Sequence, residues 1–422
     1  MHINEMMTIE YSISIYLDKR RAKANGKFPV RLRVFTPSPR KQKLYPTAFD
    51  FTEKEFDSIW LTTKPRKEYK ETRLKLQAVE NKVNEVASQI IPFSFTQFEK
   101  KLYRKVDDGV KVSYHYKEKI SEYKKYDRIS TADSYQCSEN AFKKFMESKH
   151  QNYDNLTLLD INKEWLQDFE QYMQNKGRSL TTVGIYLRPL RAVFNKAIDE
   201  GEIEKELYPF GKRKYQIPTS KKVKKALNKE QMKKLFQAKP TNKEQQKAKD
   251  FWFLSYNCNG MNMKDIAQLK YKDITENKII FYRAKTLFTS KTDLKPITVY
   301  LNEYIEKIIY AYGNPNKLAD NHVFDVLEGN ETPERQQVKI KNFTRYINQH
   351  LKKLCEANEL PGAISTYWAR HSFATLSVQK GATMEFMQES LGHKDMATTQ
   401  SYFAGFDDDT KKEFAENLMD FD

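Results

Sequence analysis

Only three cysteines occur in the 422 residues, Cys137, Cys258 and Cys355, and they stand far apart. With no Cys-x-x-Cys pair and no Cys/His cluster, neither a disulfide framework nor a zinc site is supported. No hydrophobic run reaches the length of a membrane span. The opening stretch MHINEMMTIEYSISIYL lacks a basic region followed by an apolar block, so it does not read as a secretory signal. A soluble cytoplasmic protein with no membrane partner is expected. There is no internal repeat and no low-complexity tract. Acidic residues are in deficit: 56 Asp and Glu face 73 Lys and Arg, a net charge of +17. An excess of that size points to a polyanion, usually nucleic acid, with a merely soluble basic surface as the plain alternative. What is present in quantity is apolar and aromatic material, 39% and 13%. That is enough for real cores, and the length asks for two or three domains.

The first hundred residues read as strands followed by charged helix. TIEYSISIYL alternates, and KFPVRLRVF alternates with Val30, Leu32 and Val34 on one face. KQKLYPTAF follows a proline-containing turn, and Asn25-Gly26 is a hairpin signal. Arg31 and Arg33 then leave the face opposite the core, either onto DNA or simply into solvent. TEKEF from Thr52 is a capping box, and a long helix from about Pro65 to Val86 carries Leu76, Val79, Val83 and Val86 on one stripe. From Val112 to Glu204 the pattern is helical, with Gly177 and Gly201 as C-terminal stops and Pro189 inside the last helix. The stretch Pro209–Ala226 holds seven Lys and Arg (Lys212, Arg213, Lys214, Lys221 and Lys222 among them), two prolines and no acid. It reads as a basic linker between pieces that straddle one polyanion, or as a solvated one. From Leu227 onward come a helix capped by Asn228, further helices, and a strand pair around KIIFYRAKTLFTSKTDLKPITVYL. The expected boundaries are 1–103, 104–208, the linker 209–226, and 227–422.

Breaking a DNA strand without metal or nucleotide needs a nucleophile, cations on the non-bridging phosphate oxygens, and a proton donor for the leaving oxygen. Arginine suits the phosphate because its planar fork makes two parallel hydrogen bonds and stays charged. The C-terminal part can supply such a set. Arg370 and His371 open ARHSFATLSVQKG, with Tyr367 three residues earlier on the same face if the helix begins early enough. His393 follows a glycine in a likely turn, LGH, and Tyr402, nine residues later, falls on the short helix MATTQSY. Each signal alone is weak among 25 tyrosines; the ordered combination is specific.

ARHSFAT, LGH and TTQSYF resemble, in order and spacing, the C-terminal signature H-x-x-R-H, L-G-H, tyrosine of the tyrosine recombinases, the phage-integrase family. GMNMKDIAQLKYKDI resembles the family's first motif, and IIFYRAKT its strand-borne lysine motif. SLTTVGIYLRPLRAVFNKAIDEGEI resembles the core-binding domain. The N-terminal sheet looks like the arm-binding domain of integrases from conjugative transposons. The implied fold is multidomain α+β: a small N-terminal β-sheet arm-binding domain, a helical-bundle core-binding domain, and a mostly α catalytic domain with a small β-sheet.

The resemblance implies that Tyr402 attacks the scissile phosphate to form a 3′-phosphotyrosine, that Arg370 clamps the non-bridging oxygens, and that His393 donates a further hydrogen bond. Lys285 would be the general acid for the 5′-hydroxyl, and His371 a supporting residue. Lys291 and Lys295 are alternatives to Lys285, any of which could simply contact phosphates. Two positions depart from the pattern. Asn262 stands where the first motif has arginine, and Tyr367 where the family often has histidine. Asn262 carries no charge, so Arg283 is the candidate substitute, two residues before Lys285 and on the same strand face. Tyr367 can hydrogen-bond but is a poor general base at neutral pH. Asp265 is expected to buttress the first motif.

After Tyr402 the chain turns acidic, and Phe406, Phe414, Leu418 and Met419 could dock on a neighbouring protomer or fold back onto their own domain. The expected function is site-specific recombination, integrating or excising a mobile element with neither cofactor nor metal. Its partners would be double-stranded DNA at core and arm-type sites, a homotetramer on DNA, and an accessory DNA-bending protein. The rivals are a catalytically impaired DNA-binding protein of the same fold, a type IB topoisomerase-like enzyme, and a DNA invertase.

Overall fold

The computed structural model describes residues 11–20, 22–103, 108–219, 225–285, 295–362, 364–406 and 408–416. The chain divides into two compact units: Met1–Glu118 with Cys137–Ile217, and Lys119–Gln136 with Pro218–Asp422. The described elements match a multidomain α+β architecture, mostly helical with two small sheets. Among the described residues, no helix is long and apolar enough to cross a membrane.

In the first unit, β1 (Ser12–Leu17), β2 (Phe28–Pro37) and β3 (Arg40–Phe51) form an antiparallel sheet in that order. Alternation sets the register: Val30, Leu32 and Val34 are buried, while Arg31 and Arg33 take the other face. A slip of one residue would reverse both sets, so the pairing is strongly specified. Thr52 caps α1 (Glu53–Phe56) in a reciprocal box with Glu55. The charged helix α2 (Lys70–Ser88) begins five residues later than the charge pattern suggested, after a 3₁₀ turn. Leu76 and Val83 bury fully against the sheet, each worth about 1.5–3 kcal/mol. Helix α3 (Phe95–Leu102) closes that core with Phe95 and Phe98.

Four helices follow: α4 (Val112–Lys125), α5 (Ile129–Ser148), α6 (Lys163–Asn175) and α7 (Leu180–Asp199), the last running through Pro189. Phe142, Phe145, Trp165 and Phe169 make an interlocked aromatic cluster between α5 and α6. Gly177 and Gly201, just past α6 and α7, have positive φ, as a C-terminal cap demands.

The basic stretch 209–226 is not a uniform linker. Phe210 and Tyr215 are buried; Phe210 meets Phe194 edge-on at 5.8 Å, and the Tyr215 hydroxyl bonds the Glu170 carboxylate. Two aromatic anchors outweigh the local charge and fasten this segment to the helices. Lys214 is exposed and donates to the Glu206 and Tyr208 carbonyls at 2.9 and 2.6 Å. Lys212 and Arg213 are exposed; Lys221 and Lys222 lie outside the described residues.

In the second unit come α8 (Lys229–Gln237), α9 (Lys243–Asn257), α10 (Met263–Gln268), β4 (Lys278–Phe281), β5 (Ile297–Tyr300) and α11 (Glu303–Tyr312). Then follow α12 (Pro333–Ala357), α13 (Thr366–Gln379), α14 (Met384–Leu391), α15 (Met396–Gln400) and α16 (Asp408–Glu416). Asn228 and Gln231 form a capping box on α8. Helix α9 is central: Phe251, Trp252 and Leu254 are buried, and the Trp252 indole donates to the Ser365 carbonyl at 3.0 Å, just before α13. The Leu227 amide donates to the Ser372 hydroxyl at 2.9 Å, tying the entry of this unit to α13. That helix is therefore anchored from two sides, and it carries the site.

Candidate active site

Helix α13 starts at Thr366, early enough to put Tyr367, Arg370 and His371 on one face. Arg370 is almost wholly buried. Its Nη1 donates to the Gly260 carbonyl at 3.1 Å, and its Nη2 to the Leu391 carbonyl and to His393 Nε2, the latter at 3.1 Å. Gly260 makes this approach possible: with φ +67°, an added Cβ there would lie 2.7 Å from the Arg370 Cα. Burial, and then the Arg283 charge, pull the Arg370 guanidinium down to about 10, so it stays protonated at neutral pH. Its hydrogen bonds run to carbonyls, an imidazole and the Tyr402 side chain, none of them a carboxylate, although the Asp265 charge reaches it through space. The positive charge is thus held in place but not neutralised, and its Nε has no partner.

His393 follows Gly392, the left-handed C-cap of α14 (φ 61°). Because arginine can only donate, Nε2 of His393 accepts, which places the ring proton on Nδ1, 3.0 Å from the Thr399 hydroxyl. Burial, followed by Arg370 and Arg283, drives this imidazole down to about 3. It is a neutral residue whose two ring nitrogens face Arg370 and Thr399. Thr399 has no sequence signal beyond being a hydroxyl on a short helix, and it was missed.

Tyr402 lies just past α15 rather than on it, in a turn where its amide bonds the Thr399 carbonyl at 2.9 Å. The Tyr402 carbonyl accepts from His371 Nδ1 at 3.2 Å and from the Thr375 hydroxyl at 3.5 Å, so His371 acts here on the backbone of Tyr402. The phenol ring stacks on His371 at 4.6 Å, lies 4.9 Å from the His393 ring, and has the Arg370 guanidinium 5.3 Å from its centroid. The Tyr367 hydroxyl donates to the Tyr402 hydroxyl at 3.3 Å. Burial pushes the Tyr402 phenol up. The Tyr367 hydrogen bond and the charges of Arg370, Arg283 and Lys285 outweigh burial, and the phenol ends below the ordinary tyrosine value.

The pairing of Arg283 with Lys285 by strand alternation is corrected: β4 ends at Phe281, and Arg283, Ala284 and Lys285 follow it in a turn. A buried carboxylate fixes that turn. Asp265 Oδ1 accepts from the Ala284 amide at 2.9 Å, while Asp265 Oδ2 takes a longer bond from Asn262 Nδ2 at 3.4 Å. Asp265 therefore couples α10 to the segment with both cations. Arg283 is buried, and an added Cβ on Gly392 would lie 4.0 Å from its Cδ. Asn262, Arg283, Lys285, Tyr367 and Tyr402 line one cleft. Lys291 lies outside the described residues.

The remaining sequence candidates belong to the other unit. Arg33 donates to the Ser14 hydroxyl at 3.2 Å and sits 5.5 Å from the Tyr16 ring centroid; Arg31 is half-buried beside it. Among the described residues, His115, Glu118 and Glu200 are close enough to hold a metal. Lys100 already pairs with both carboxylates at 3.0 and 3.2 Å, and Lys196 with Glu118 at 2.9 Å, which makes this an ion-pair network.

A buried tyrosine beside two buried guanidinium groups, with a lysine at the cleft wall, is the set expected of enzymes that transfer DNA strands by way of a tyrosine. Comparison with known proteins agrees. Residues 112–217 match the phage integrase SAM-like domain, and residues 225–408 match the phage integrase family. The tyrosine recombinase XerC of Listeria welshimeri is 26% identical over 289 residues, covering 65% of this chain and 86% of the relative. The tyrosine recombinase XerA of Thermococcus kodakarensis is 25% identical over 244 residues, covering 58% and 77%. In fold, the chain is similar to the Tn1549 transposon integrase solved in complex with a circular intermediate DNA, at a TM-score of 0.51 and 17% identity. That match covers 73% of this chain and 100% of the other. The chain belongs to the phage integrase family and is a tyrosine site-specific recombinase.

Proposed function

We propose that the protein cleaves and rejoins double-stranded DNA at a specific site, with Tyr402 as the nucleophile, in the integration or excision of a mobile element. The observation that carries this reading is the convergence of Arg370, Arg283 and Lys285 on Tyr402, with the Arg370 guanidinium 5.3 Å from its ring, Arg283 and Lys285 lining the same cleft, and its phenol drawn below the ordinary value. The Tyr402 oxygen attacks phosphorus and the P–O5′ bond breaks. Lys285 gives its proton to the departing 5′-oxygen and is recharged from water, to which the phenol proton has gone. Arg370 and Arg283 hold the non-bridging oxygens, where the transition state gathers charge. His393 fixes the Arg370 fork through Nε2, and His371 fixes the Tyr402 backbone. Arg283 thereby takes the place of the arginine missing at Asn262. The phosphodiester energy is kept in the protein–DNA bond, so the strand rejoins without a nucleotide.

The basic surface of Arg31, Arg33, Lys212 and Arg213 would contact accessory and core DNA. Two successive strand exchanges require four protomers. Asn262 alone favours the rival reading of a DNA-binding protein that has lost catalysis; the charge at Arg283 argues against it.

The test is covalent trapping on a nicked suicide duplex, using the sequence recovered from a random DNA library. Wild type should yield a protein-linked 3′-end and Tyr402→Phe none. Trapping at normal yield by Tyr402→Phe would refute the assignment, and general relaxation of supercoils would favour a topoisomerase.

A further inference from the structure

Tyr367 stands where the family pattern often carries histidine, and the Proposed function leaves it without a role. It is 43% exposed, and its ring meets two neighbours: His371 edge-on at 4.8 Å, and the Lys225 ammonium 5.4 Å from its centroid. Its hydroxyl is directed at one atom, the Tyr402 oxygen, at 3.3 Å. We propose that Tyr367 is a positioning residue for the nucleophile, donating a hydrogen bond that holds the Tyr402 oxygen toward the cleft and favours its ionised form. This rests on Tyr402 being the nucleophile.

Tyr367 is the neutral donor at that oxygen, beside the Arg370 guanidinium, which also hydrogen-bonds Tyr402. Around the Tyr402 ring, Arg370 and His371 come from α13, Arg283 and Lys285 from the turn after β4, and His393 from the turn after α14. Asp395 and Lys225 act at one remove, on His393 and on His371. His371 Nδ1 is spent on the Tyr402 carbonyl, and His393 on Arg370 and Thr399. Tyr367 is itself raised, first by burial and then by its bond to Tyr402, so it keeps its proton and cannot be the base. The phenol proton of Tyr402 therefore leaves to water through the cleft before attack, and the proton given by Lys285 to the 5′-oxygen balances it.

The experiment follows single-turnover formation of the covalent complex by the full chain, from neutral to alkaline pH, on the duplex trapped from the library. Tyr367→Phe keeps the ring and removes the donor. It should be slower by roughly tenfold at neutral pH, the deficit closing as pH rises, with DNA affinity unchanged. A substrate with a bridging 5′-phosphorothiolate, whose thiolate leaves without a proton, should keep this deficit while erasing that of Lys285→Ala. A deficit uniform across pH, none at all, or one erased by the thiolate would overturn the proposal. If Tyr367→Phe loses DNA binding, Tyr367→His supplies the readout: a wild-type pH profile supports the donor role, and a uniform deficit overturns it. Tyr402→Phe, run alongside, keeps the two readings apart. Covalent product from it removes the nucleophile assignment, whereas no product together with a wild-type Tyr367→Phe profile overturns only the role given to Tyr367.

Discussion

Replacing Arg283 by alanine tests the substitution at the heart of this site. Arg283 is buried, lines the cleft with Tyr402, and lies close enough to Arg370 to depress it. In so dry a setting, a fixed donor aimed at developing charge is worth about 2.7–4 kcal/mol, or about 10²–10³ in rate. Arg283 also lowers the phenol of Tyr402 and the imidazole of His393. Without it both move up, so less phenolate is present at neutral pH, and part of the lost rate should return under alkaline conditions. Binding should suffer far less. Loss of one phosphate contact lowers the slope of log affinity against log salt by about 0.9 and leaves the rest of a +17 chain in place. Covalent trapping at several pH values, beside mobility-shift titrations across salt, separates the two effects. Adding Asn262→Arg to the alanine variant returns a guanidinium to the same cleft and should recover at least about tenfold in cleavage. Equal losses in binding and cleavage, or wild-type cleavage by Arg283→Ala, would refute the reasoning.

Two glycines give contrasting expectations. Gly260→Ala would set a Cβ 2.7 Å from the Arg370 backbone, which cannot swing aside, and at φ +67°. It should lose at least about 100-fold in cleavage and melt several degrees lower, given ~1–2 kcal/mol of left-handed strain alone. Gly392→Ala meets the far end of Ile297 at 2.6 Å, which can rotate, so cleavage should stay within about tenfold despite the same backbone strain. The reverse order in thermal melts and trapping would count against the packing described. Thr399→Val keeps the shape but orphans His393 Nδ1, at a cost of about 1–3 kcal/mol. Cleavage should fall about tenfold, and Thr399→Ser should restore it.

Much of the site was legible in the sequence because its parts sit on strongly patterned helices. Arg370 and His371 share the α13 face by simple periodicity, and Gly392 turns the chain left-handed to present His393. Tyr402 was expected on the short helix, but that helix ends two residues before it, and the hold on it comes from His371 and Thr375, far away in sequence. Arg283 and Lys285 do converge on the cleft, but through a turn fixed by Asp265 and not through strand alternation. Local charge also misled. The stretch after Pro209 looks like a solvated linker until Phe210 and Tyr215 find a core, a tertiary event that composition does not encode.

The electrostatics of the cleft follow from what holds its cations. A buried arginine is usually stabilised by a carboxylate, and such a pair would leave little field for a phosphate. Here Arg370 is held by two carbonyls and a neutral imidazole, while the nearby buried acid, Asp265, spends its oxygens on Ala284 and Asn262. The arrangement satisfies hydrogen-bonding geometry without cancelling charge. It sets Arg283 against Arg370, a repulsion that on the proposed reading a phosphodiester would relieve on entry and a transition state, carrying more negative charge, would relieve further. The imidazole must be neutral for this to work: protonating His393 would remove the acceptor for Arg370 Nη2 and add a fourth positive charge. Burial first, and then Arg370 and Arg283, hold it down to about 3, which keeps that acceptor in place.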